Sequence, residues 1–337
     1  MRAIGYQQPG GIDRKEALID IEQPMPVAEG RDILVEVRAV SVNPVDVKRR
    51  ANALPDPGTW KVLGWDAAGR VTAVGPDVTL FRPGDEVFYA GAIGRPGTNS
   101  QFHLVDERIV GYKPKTLDWA AAAAIPLTAI TAWEMLFDRL DVRKPVPGAA
   151  NAIVIVGGAG GVGSIAIQIA RALTDLIVIA TASRPETTAW VREMGAHHVI
   201  DHSQPLAAQV AALGIGAPAF VFLTTQTDRH LGDVAELIAP QGRFGFIDEP
   251  TTLDIAMFKR KSLSIHQELM FTRSIFGTAD MAEQGKLLNE VSRLVDDGVL
   301  RTTMTGRLSP INAANLKRVH AMIESGRTRG KIVLEGF

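Results

Sequence analysis

The sequence predicts an α/β protein that combines an open, doubly wound parallel sheet with a compact, barrel-like β domain. Three observations carry this prediction. An apolar, β-branched run at 152–156 meets clustered glycines and passes directly into an Ala/Ile-rich helical stretch. From Asn151 onward, strand-like runs alternate with helical segments, and before about Pro114 short β-prone runs are separated by Gly/Pro turns. The alternation of strands and helices is typical of parallel sheets, and the short β runs separated by turns are typical of small barrels.

The individual strands are predicted from β-prone runs and the turn signals between them, such as Arg82-Pro83-Gly84-Asp85. The parallel sheet is expected to contain six strands: Ala152–Val156, Leu176–Ala182, His198–Ile200, Ala219–Leu223, Arg243–Ile247 and Ser262–His266. The N-terminal β runs are Asp32–Val40, Gly69–Gly75, Asp85–Tyr89, Gln101–Val105 and Arg108–Tyr112.

The last part of the chain has a pattern of its own. An amphipathic helix is expected from near Ala279 to about Asp297, followed by a second helix ending at Ser325. A final strand is predicted at Lys331–Leu334. We expect this tail to fold back onto the N-terminal domain.

Composition restricts the class of protein. A chain of 337 residues has room for two domains, at roughly 150 residues per domain. Its formal net charge of −1 gives no electrostatic basis for binding nucleic acid or an anionic membrane. The absence of cysteine rules out disulfides, thiolate catalysis and thiolate zinc sites. The start lacks an apolar signal core, and the most apolar stretch, around Ala120 to Trp133, is interrupted by Pro126, so we expect a soluble cytoplasmic protein.

The glycine cluster has the spacing of a dinucleotide site. Gly158, Gly160 and Gly163 fit the pattern G-x-G-x-x-G between a strand and a helix, which favours a nucleotide site over a plain tight turn. We expect the first glycine to allow the sharp turn, the second to let backbone approach a pyrophosphate, and the third to let the helix pack against the strand. The helix start would hold the negative charge. The predicted cofactor-binding residues of this turn are Gly158, Ala159, Gly160, Gly161, Val162 and Gly163.

The end of the second strand of the parallel sheet indicates which dinucleotide binds. NAD-binding units usually place an acidic residue there, about 20 residues past the glycines. No acid ends the stretch 177–184, which closes with Ser183 and Arg184. A hydroxyl and a guanidinium suit the 2′-phosphate of NADP(H), so both residues are predicted to bind it. Alternatively, Ser183 and Glu186 form a capping box for the next helix, with Pro185 in its first turn, which leaves Arg184 unexplained.

Motifs over essentially the whole chain resemble a known family. They are SVNPVD at 41–46, VLGWDAAG at 62–69, FRPGDEV at 81–87, PLTAITAW at 126–133 and GKIVL at 330–334. The chain resembles the medium-chain dehydrogenase/reductase superfamily, specifically its zinc-independent quinone oxidoreductase branch, which includes the proteins labelled zinc-type alcohol dehydrogenase-like.

That resemblance implies two domains and an assembly. A GroES-like catalytic domain would comprise 1–124 and 277–337, and a Rossmann NADP(H)-binding domain would comprise 125–276. The active site would lie in the cleft where the domains meet. The family also implies a homodimer formed through the edge of the Rossmann sheet.

The departures from the zinc-using relatives concern the metal ligands. Where those enzymes place a metal-binding cysteine this chain has Asn43, and where they carry Gly-His-Glu it has Gly64-Trp65-Asp66. A lone carboxylate cannot replace three protein ligands that leave one position open for substrate. His197, His198 and His202 lie near a predicted sheet edge, where a solvated or structural histidine is expected rather than a metal ligand. We therefore expect no metal site.

Further cofactor contacts are implied by the resemblance and by the strand ends. Thr128 resembles the family threonine beside the nicotinamide, and its alternative role is to cap the helix that starts after Pro126. Lys331, next to Gly330, is implied to close over the cofactor, and its alternative is a solvated strand end. Open parallel sheets bind ligands at the carboxyl ends of their strands. The positions there are Thr224, Phe246 and Ile247.

Three residues are predicted to take part in catalysis, each with a structural alternative. By resemblance Asn43 lies near the acceptor and could donate to its carbonyl oxygen, although Asn43-Pro44 could simply form a turn. Trp65 would fill the former metal volume and wall the pocket, or would pack in the core. Tyr89 could present its hydroxyl to the cleft or cap a core. No histidine or acid stands out as a proton donor.

Without a Lewis acid, a nicotinamide enzyme works best on an acceptor that takes hydride easily. We therefore predict an NADPH-dependent reductase of quinones or α,β-unsaturated carbonyl compounds, in which the protein orients the acceptor and favours the developing anion. Two other functions stay open. One is a non-catalytic NADPH-binding structural or sensing protein, and the other is a zinc alcohol dehydrogenase.

Overall fold

The computed structural model describes residues 1–337 and divides into two compact units. Unit 1 comprises Met1–Ile130 and Phe271–Phe337, and unit 2 comprises Thr131–Met270. The prediction that the tail returns to the N-terminal domain is confirmed, because the C-terminal segment lies in the same unit as the N-terminus.

The chain forms sixteen β-strands. They are β1 Arg2–Tyr6, β2 Ile19–Glu22, β3 Asp32–Ser41, β4 Lys61–Val62, β5 Asp66–Val74, β6 Glu86–Tyr89, β7 Phe102–Asp106, β8 Val110–Tyr112, β9 Ala150–Val156, β10 Ile177–Thr181, β11 His198–Ile200, β12 Pro218–Leu223, β13 Arg243–Phe246, β14 Ser264–Gln267, β15 Met304–Leu308 and β16 Lys331–Glu335.

The helices are ten α-helices and three helical segments of other types. The α-helices are α1 Pro44–Asn52, α2 Trp119–Ala123, α3 Pro126–Trp133, α4 Gly161–Leu173, α5 Pro185–Glu193, α6 Leu206–Ala212, α7 Thr227–Leu237, α8 Thr272–Phe276, α9 Glu283–Asp296 and α10 Ala313–Glu324. Glu107–Ile109 and Ile255–Lys261 form 3₁₀-helices, and Glu134–Arg139 forms a π-helix.

Strand β3 organises unit 1. It pairs antiparallel with β5 along most of its length, with β7 at its start and with β16 at its end. In this register Ser41 lies opposite both Asp66 and Val333. The pairing therefore brings the start of the C-terminal strand beside the start of β5, and it confirms the β-rich, barrel-like prediction. A second sheet has the order β2-β1-β4.

Unit 2 is built on one parallel sheet with the order β11-β10-β9-β12-β13-β14. All five strand pairs are parallel, which confirms the predicted open sheet of six strands. The central strand consists of apolar, mostly β-branched residues that are fully buried at 152–155, as expected for a strand covered on both faces. Strand order reverses at β9, so the glycine turn that follows it lies at the switch point where such sheets bind ligands.

One helical stretch, Trp119–Arg139, is long and apolar enough to cross a membrane. Within the fold, 89% of its most apolar window is buried, as expected for a core helix. This stretch comprises α2, which ends at Ala123, α3, which begins at Pro126, and the π-helix, which begins at Glu134.

Candidate functional site

The glycine turn connects β9 to α4 in unit 2. Gly157 has a φ of +79°, and a Cβ at this position would lie 2.4 Å from Oγ1 of Thr224. The sharp turn is therefore made at Gly157, one residue before the glycine expected to make it. Gly158 instead packs closely, since a Cβ there would lie 3.0 Å from Cβ of Ala180.

The other two glycines have different roles. A Cβ on Gly163 would lie 2.3 Å from the backbone oxygen of Gly157, so the helix can approach the strand end only with glycine here, as predicted. Gly160 is the N-cap of α4 with ordinary backbone angles, φ −71° and ψ 174°. A Cβ on Gly160 would meet only the Gly157 oxygen, at 3.5 Å. The space over Gly160 is therefore open to an approaching phosphate.

The first turn of α4 offers backbone donors to that space. Gly161, Val162 and Gly163 occupy the first three helical positions, whose N–H groups have no intrahelical acceptor. No side chain caps them, and the first turn contains no acid. The neighbouring Ala159 is half-buried, like Gly161 and Val162. These residues fit the pyrophosphate of a dinucleotide.

Arg184, rather than Ser183, is the N-cap of α5. Its N–H donates to Oγ1 of Thr187 at 3.1 Å, and that hydroxyl donates to the Arg184 carbonyl at 2.9 Å. The alternative in which Ser183 and Glu186 form the capping box is therefore wrong. Ser183 is exposed, and the Arg184 guanidinium pairs with Glu186 at 3.0 Å, with 36% of the arginine side chain exposed.

Positive charge gathers near the end of β10. Nδ1 of His202, just after β11, lies 3.0 Å from Oγ1 of Thr181. Burial lowers the pKa of His202 below its usual 6.5, Asp201 opposes the shift, and Arg229 and Arg184 add to it. Two guanidinium groups thus lie close enough to His202 to act on it electrostatically. This group suits a phosphate beside the second strand of the sheet.

The carboxyl ends of β12 and β13 lie at the same sheet edge as the glycine turn. Oγ1 of Thr224 donates to the Val156 carbonyl at 2.8 Å and so links β12 to β9. The Phe246 side chain is fully buried, which leaves its backbone as the group that a ligand could contact. Ile247 is half-buried.

A buried charged cluster joins four segments of unit 1. Oδ2 of Asp66 accepts hydrogen bonds from Nδ2 of Asn43 at 2.8 Å and from Nζ of Lys331 at 3.0 Å. Its Oδ1 accepts from the N–H of Leu127 at 2.7 Å. Nζ of Lys331 also donates to the Val42 carbonyl at 3.1 Å and to Oδ1 of Asn43. The three side chains of this cluster are at most 4% exposed.

Asn43 and Lys331 use their polar groups inside this cluster. Asn43 is the N-cap of α1, and its two amide hydrogens point to Asp66 and, at 3.4 Å, to the Ser41 carbonyl. This geometry favours the turn alternative, since neither amide hydrogen is left for a substrate carbonyl. Lys331 is 4% exposed, so the solvated-strand-end alternative is wrong, and its ammonium pairs with Asp66 rather than extending from the tail.

Asp46 completes the cap of α1 and lies beside the cluster. Its Oδ2 accepts the N–H of Asn43 at 2.8 Å. Complete burial raises the pKa of this carboxyl to about 7, against the opposing effects of the Asn43 hydrogen bond and the Lys331 charge, while Asp66 adds to the rise. Asp46 is therefore a buried acid that titrates near neutrality.

Thr128 lies one residue beyond the cluster, at the start of α3. It is 2% exposed, and its hydroxyl donates to the Ile125 carbonyl at 3.0 Å. The hydroxyl thus caps no N–H group, and the Asp66 carboxylate caps the helix through Leu127 instead.

Trp65 and Tyr89 both lie in the core. The Trp65 ring is 2% exposed and packs edge-to-face on Phe271, with ring centroids 5.8 Å apart. Nε2 of His103 donates to the Pro96 carbonyl at 3.0 Å, so its Nδ1 accepts the Tyr89 hydroxyl hydrogen at 3.1 Å. Burial raises the pKa of Tyr89 and lowers that of His103 to about 4. Trp65 and Tyr89 therefore fit the structural alternatives given for them, packing within the core, and the Tyr89 hydroxyl is hydrogen-bonded to His103.

No three or more His, Cys, Asp or Glu side chains gather closely enough in this chain to hold a metal ion. Asp66 already accepts three N–H donors. Nδ1 of His197 accepts from the Val178 N–H at 2.9 Å. These donors do not form the three-ligand set with an open fourth position that a catalytic zinc requires.

The structure thus gathers the predicted cofactor residues of unit 2 at one sheet edge, and joins Asn43 with Lys331 in unit 1. Sequence reasoning missed the part played by Asp46, although its spacing from Asn43, N-cap to third helical position, is that of a capping box. It also missed Arg229 and gave His202 no role at the cofactor site. Only the fold brings Arg184 and Arg229 within electrostatic range of His202.

Two family models match the chain. The model described as alcohol dehydrogenase GroES-like domain matches residues 29–122. The model described as zinc-binding dehydrogenase matches residues 194–334.

The chain is similar to known proteins over 90% or more of its length. A zinc-type alcohol dehydrogenase-like protein of Staphylococcus aureus is 39% identical over 336 residues, 99% of each chain. A quinone oxidoreductase of Pseudomonas aeruginosa is 31% identical over 311 residues, 90% of this chain and 91% of the relative. The crystal structure of a candidate zinc-dependent alcohol dehydrogenase from Rhizobium etli is 72% identical, with a TM-score of 0.99 over 100% of this chain and 98% of that one.

Proposed function

The chain belongs to the medium-chain dehydrogenase/reductase superfamily, and we propose that it transfers hydride from NADPH to a quinone or an α,β-unsaturated carbonyl compound without zinc. The family makes it an oxidoreductase with a GroES-like and a Rossmann domain. The choice of cofactor, acceptor and metal-free chemistry is the proposal.

The observation that carries the proposal is the state of Asp66. It is the carboxylate of the Gly-Trp-Asp segment, and its two oxygens already accept three N–H donors, one of them an ammonium. The preceding residue, Trp65, offers no metal ligand. An acceptor that needs no Lewis acid, such as a quinone or an enone, matches a site of this composition.

The choice of NADPH is supported by charge at the end of β10. No acid ends this strand to accept the ribose hydroxyls, whereas Arg184 and Arg229 both lie close enough to His202 to lower its pKa. A carboxylate would repel the 2′-phosphate, and a guanidinium binds it. Arg184 also pairs with the exposed Glu186, a contact that the phosphate would replace.

Residues of unit 2 would hold the cofactor as follows. The N–H groups of Gly161 and Val162 would bind the pyrophosphate over the open face of Gly160. When bound, the dihydronicotinamide supplies the hydride. Backbone groups at Phe246 and Ile247, at the strand ends, would orient the cofactor for transfer to the acceptor.

An NADPH-oxidation screen tests this function. The purified protein is given quinones, enones and enals with NADPH, with NADH in parallel, and alcohols with NADP⁺ as the opposing class. We expect turnover with NADPH and at least one quinone or activated alkene, unchanged after dialysis against a chelator. NADPH binding without turnover on any acceptor would leave the non-catalytic binding protein as the better description. Turnover that is lost with the chelator and restored by zinc would contradict metal-free chemistry.

We also propose a homodimer formed through β14. This strand is one of the two edge strands of the parallel sheet, the other being β11, and its two end residues, Ser264 and Gln267, are exposed. An unpaired strand edge is a ready surface for pairing with a second copy. Light scattering after gel filtration should give twice the chain mass, and a monomer at all concentrations would contradict the proposal.

A further inference from the structure

We propose that Lys331 is the resident cation of an oxygen-lined ammonium site in unit 1, and that its charge, more than its carbon stem, holds this site together. Three oxygens converge on its Nζ: the Asp66 carboxylate at 3.0 Å, the Val42 carbonyl at 3.1 Å and the Asn43 amide oxygen. An ammonium has three hydrogens, so each is accounted for. The ligand class of this site is a monovalent alkylammonium ion.

The site needs a cation because its anion is completely buried. Asp66 is 0% exposed, and Lys331 supplies the ammonium within 3.0 Å of it. A buried carboxylate without a partner is strongly unfavourable, whereas a pair with full hydrogen bonding is tolerated. Asp46 lies close enough for the Lys331 charge to lower its pKa, so the ammonium also offsets a second acid.

The same carboxylate fixes a helix start. Oδ1 of Asp66 holds the N–H of Leu127, one residue before Thr128. Oδ2 binds both Asn43, at the start of α1, and Lys331, at the start of β16. Loss of the cation would leave the buried Asp66 carboxylate without its charged partner, and both helix starts would lose a fixed partner. Lys331 is thus a positioning residue for two helices, and this inference does not depend on the proposed hydride transfer.

Chemical rescue tests the inference. Lys331→Ala removes three carbons and the ammonium, a volume that matches n-propylammonium. We expect the variant to melt roughly 5–10 °C below wild type. Addition of n-propylammonium should restore most of this loss in a saturable manner, while n-propanol, which has a similar shape without the charge, should not.

Two further variants separate charge from packing. Lys331→Met keeps the stem and fills the volume, so it should be destabilised and should not respond to the amine. Lys331→Met combined with Asp66→Asn removes both charges and should melt well above Lys331→Met alone. Lys286→Ala, which removes a lysine that is 70% exposed, should show no amine-dependent change.

The proposal is overturned if Lys331→Met is as stable as wild type, if propanol rescues Lys331→Ala as well as the amine does, or if the double variant gains nothing over the single one. If Lys331→Ala does not fold, the Met variant and the double variant still decide the question. All readouts are melting temperatures without cofactor, so they are independent of any failure to find NADPH turnover.

Discussion

Replacing Asp46 with asparagine should stabilise the protein at about pH 8 and change its stability little near pH 4, because the change removes a buried acid with a raised pKa. Asparagine has the same shape, and its Oδ1 can accept the Asn43 N–H that Asp46 accepts at 2.8 Å. The cap of α1 should therefore survive, and only the ionisable group is lost.

The size of the effect follows from the two pKa values. Folding raises the pKa of Asp46 from 3.8 to about 7. Below the lower value both states are protonated, and no cost arises. As pH rises from 3.8 to about 7 the unfolded state ionises first, so stability falls, and above about 7 the cost is constant at roughly 4 kcal/mol. Asp46→Asn should recover up to that amount at alkaline pH.

Urea unfolding of wild type and Asp46→Asn across the range from about pH 4 to pH 8 measures this difference. Asp56→Asn, which changes an exposed carboxyl in the same unit, is the matched control and should show no pH-dependent gain. An Asp46→Asn variant that is no more stable than wild type at high pH, or whose advantage grows as pH falls, would refute a raised pKa for Asp46 in the folded protein.

Three further predictions concern the cofactor site. Gly160→Ala should weaken NADPH binding and change the free energy of unfolding by no more than about 0.5 kcal/mol. Gly163→Ala should lower the free energy of unfolding by roughly 1–3 kcal/mol, because the added Cβ would lie 2.3 Å from a backbone oxygen. Equal melting temperatures for the two variants would contradict these different roles of the two glycines. Arg184→Ala should weaken NADPH by about 1–3 kcal/mol and NADH by much less, as titration calorimetry can show, and equal losses would exclude a 2′-phosphate contact. Protonation of His202 adds positive charge only below its usual pKa of 6.5, so NADPH binding should tighten as pH falls into that range relative to His202→Asn, and parallel pH profiles would contradict the role.

Much of unit 2 could be predicted because the local sequence of each strand is enough to identify it. The run at 152–156 is apolar and β-branched, and burial on both faces requires that composition. Strands β2 and β15 were not predicted. Their sequences, IDIE and MTGRL, are short and polar, and neither contains a fully buried residue. Pairing with neighbouring strands, rather than local pattern, gives these segments their structure.

The candidate site in unit 1 was less predictable for a different reason. The hydrogen bond between Lys331 and Asp66 joins residues 265 positions apart. No periodicity reports a contact at that separation, so Lys331 could be read only as a strand end or, by resemblance, as a cofactor contact. The glycine turn is the opposite case, because its function depends on residues within a few positions of one another, and only the location of the positive φ was off by one residue.

The division of unit 1 into two stretches of chain has a consequence for the order of folding during synthesis. Unit 2 is continuous, from Thr131 to Met270, and all of its strands have been made before the last part of unit 1 exists. The barrel strands β3 and β5 are made earlier, but Asp66 receives its ammonium only when Lys331 is translated. Domains generally fold as units while the chain grows. On the ribosome, the later-made parallel sheet can therefore reach its final fold first. The N-terminal barrel can bury Asp66 beside its ammonium partner only after Lys331, close to the end of the chain, has been made.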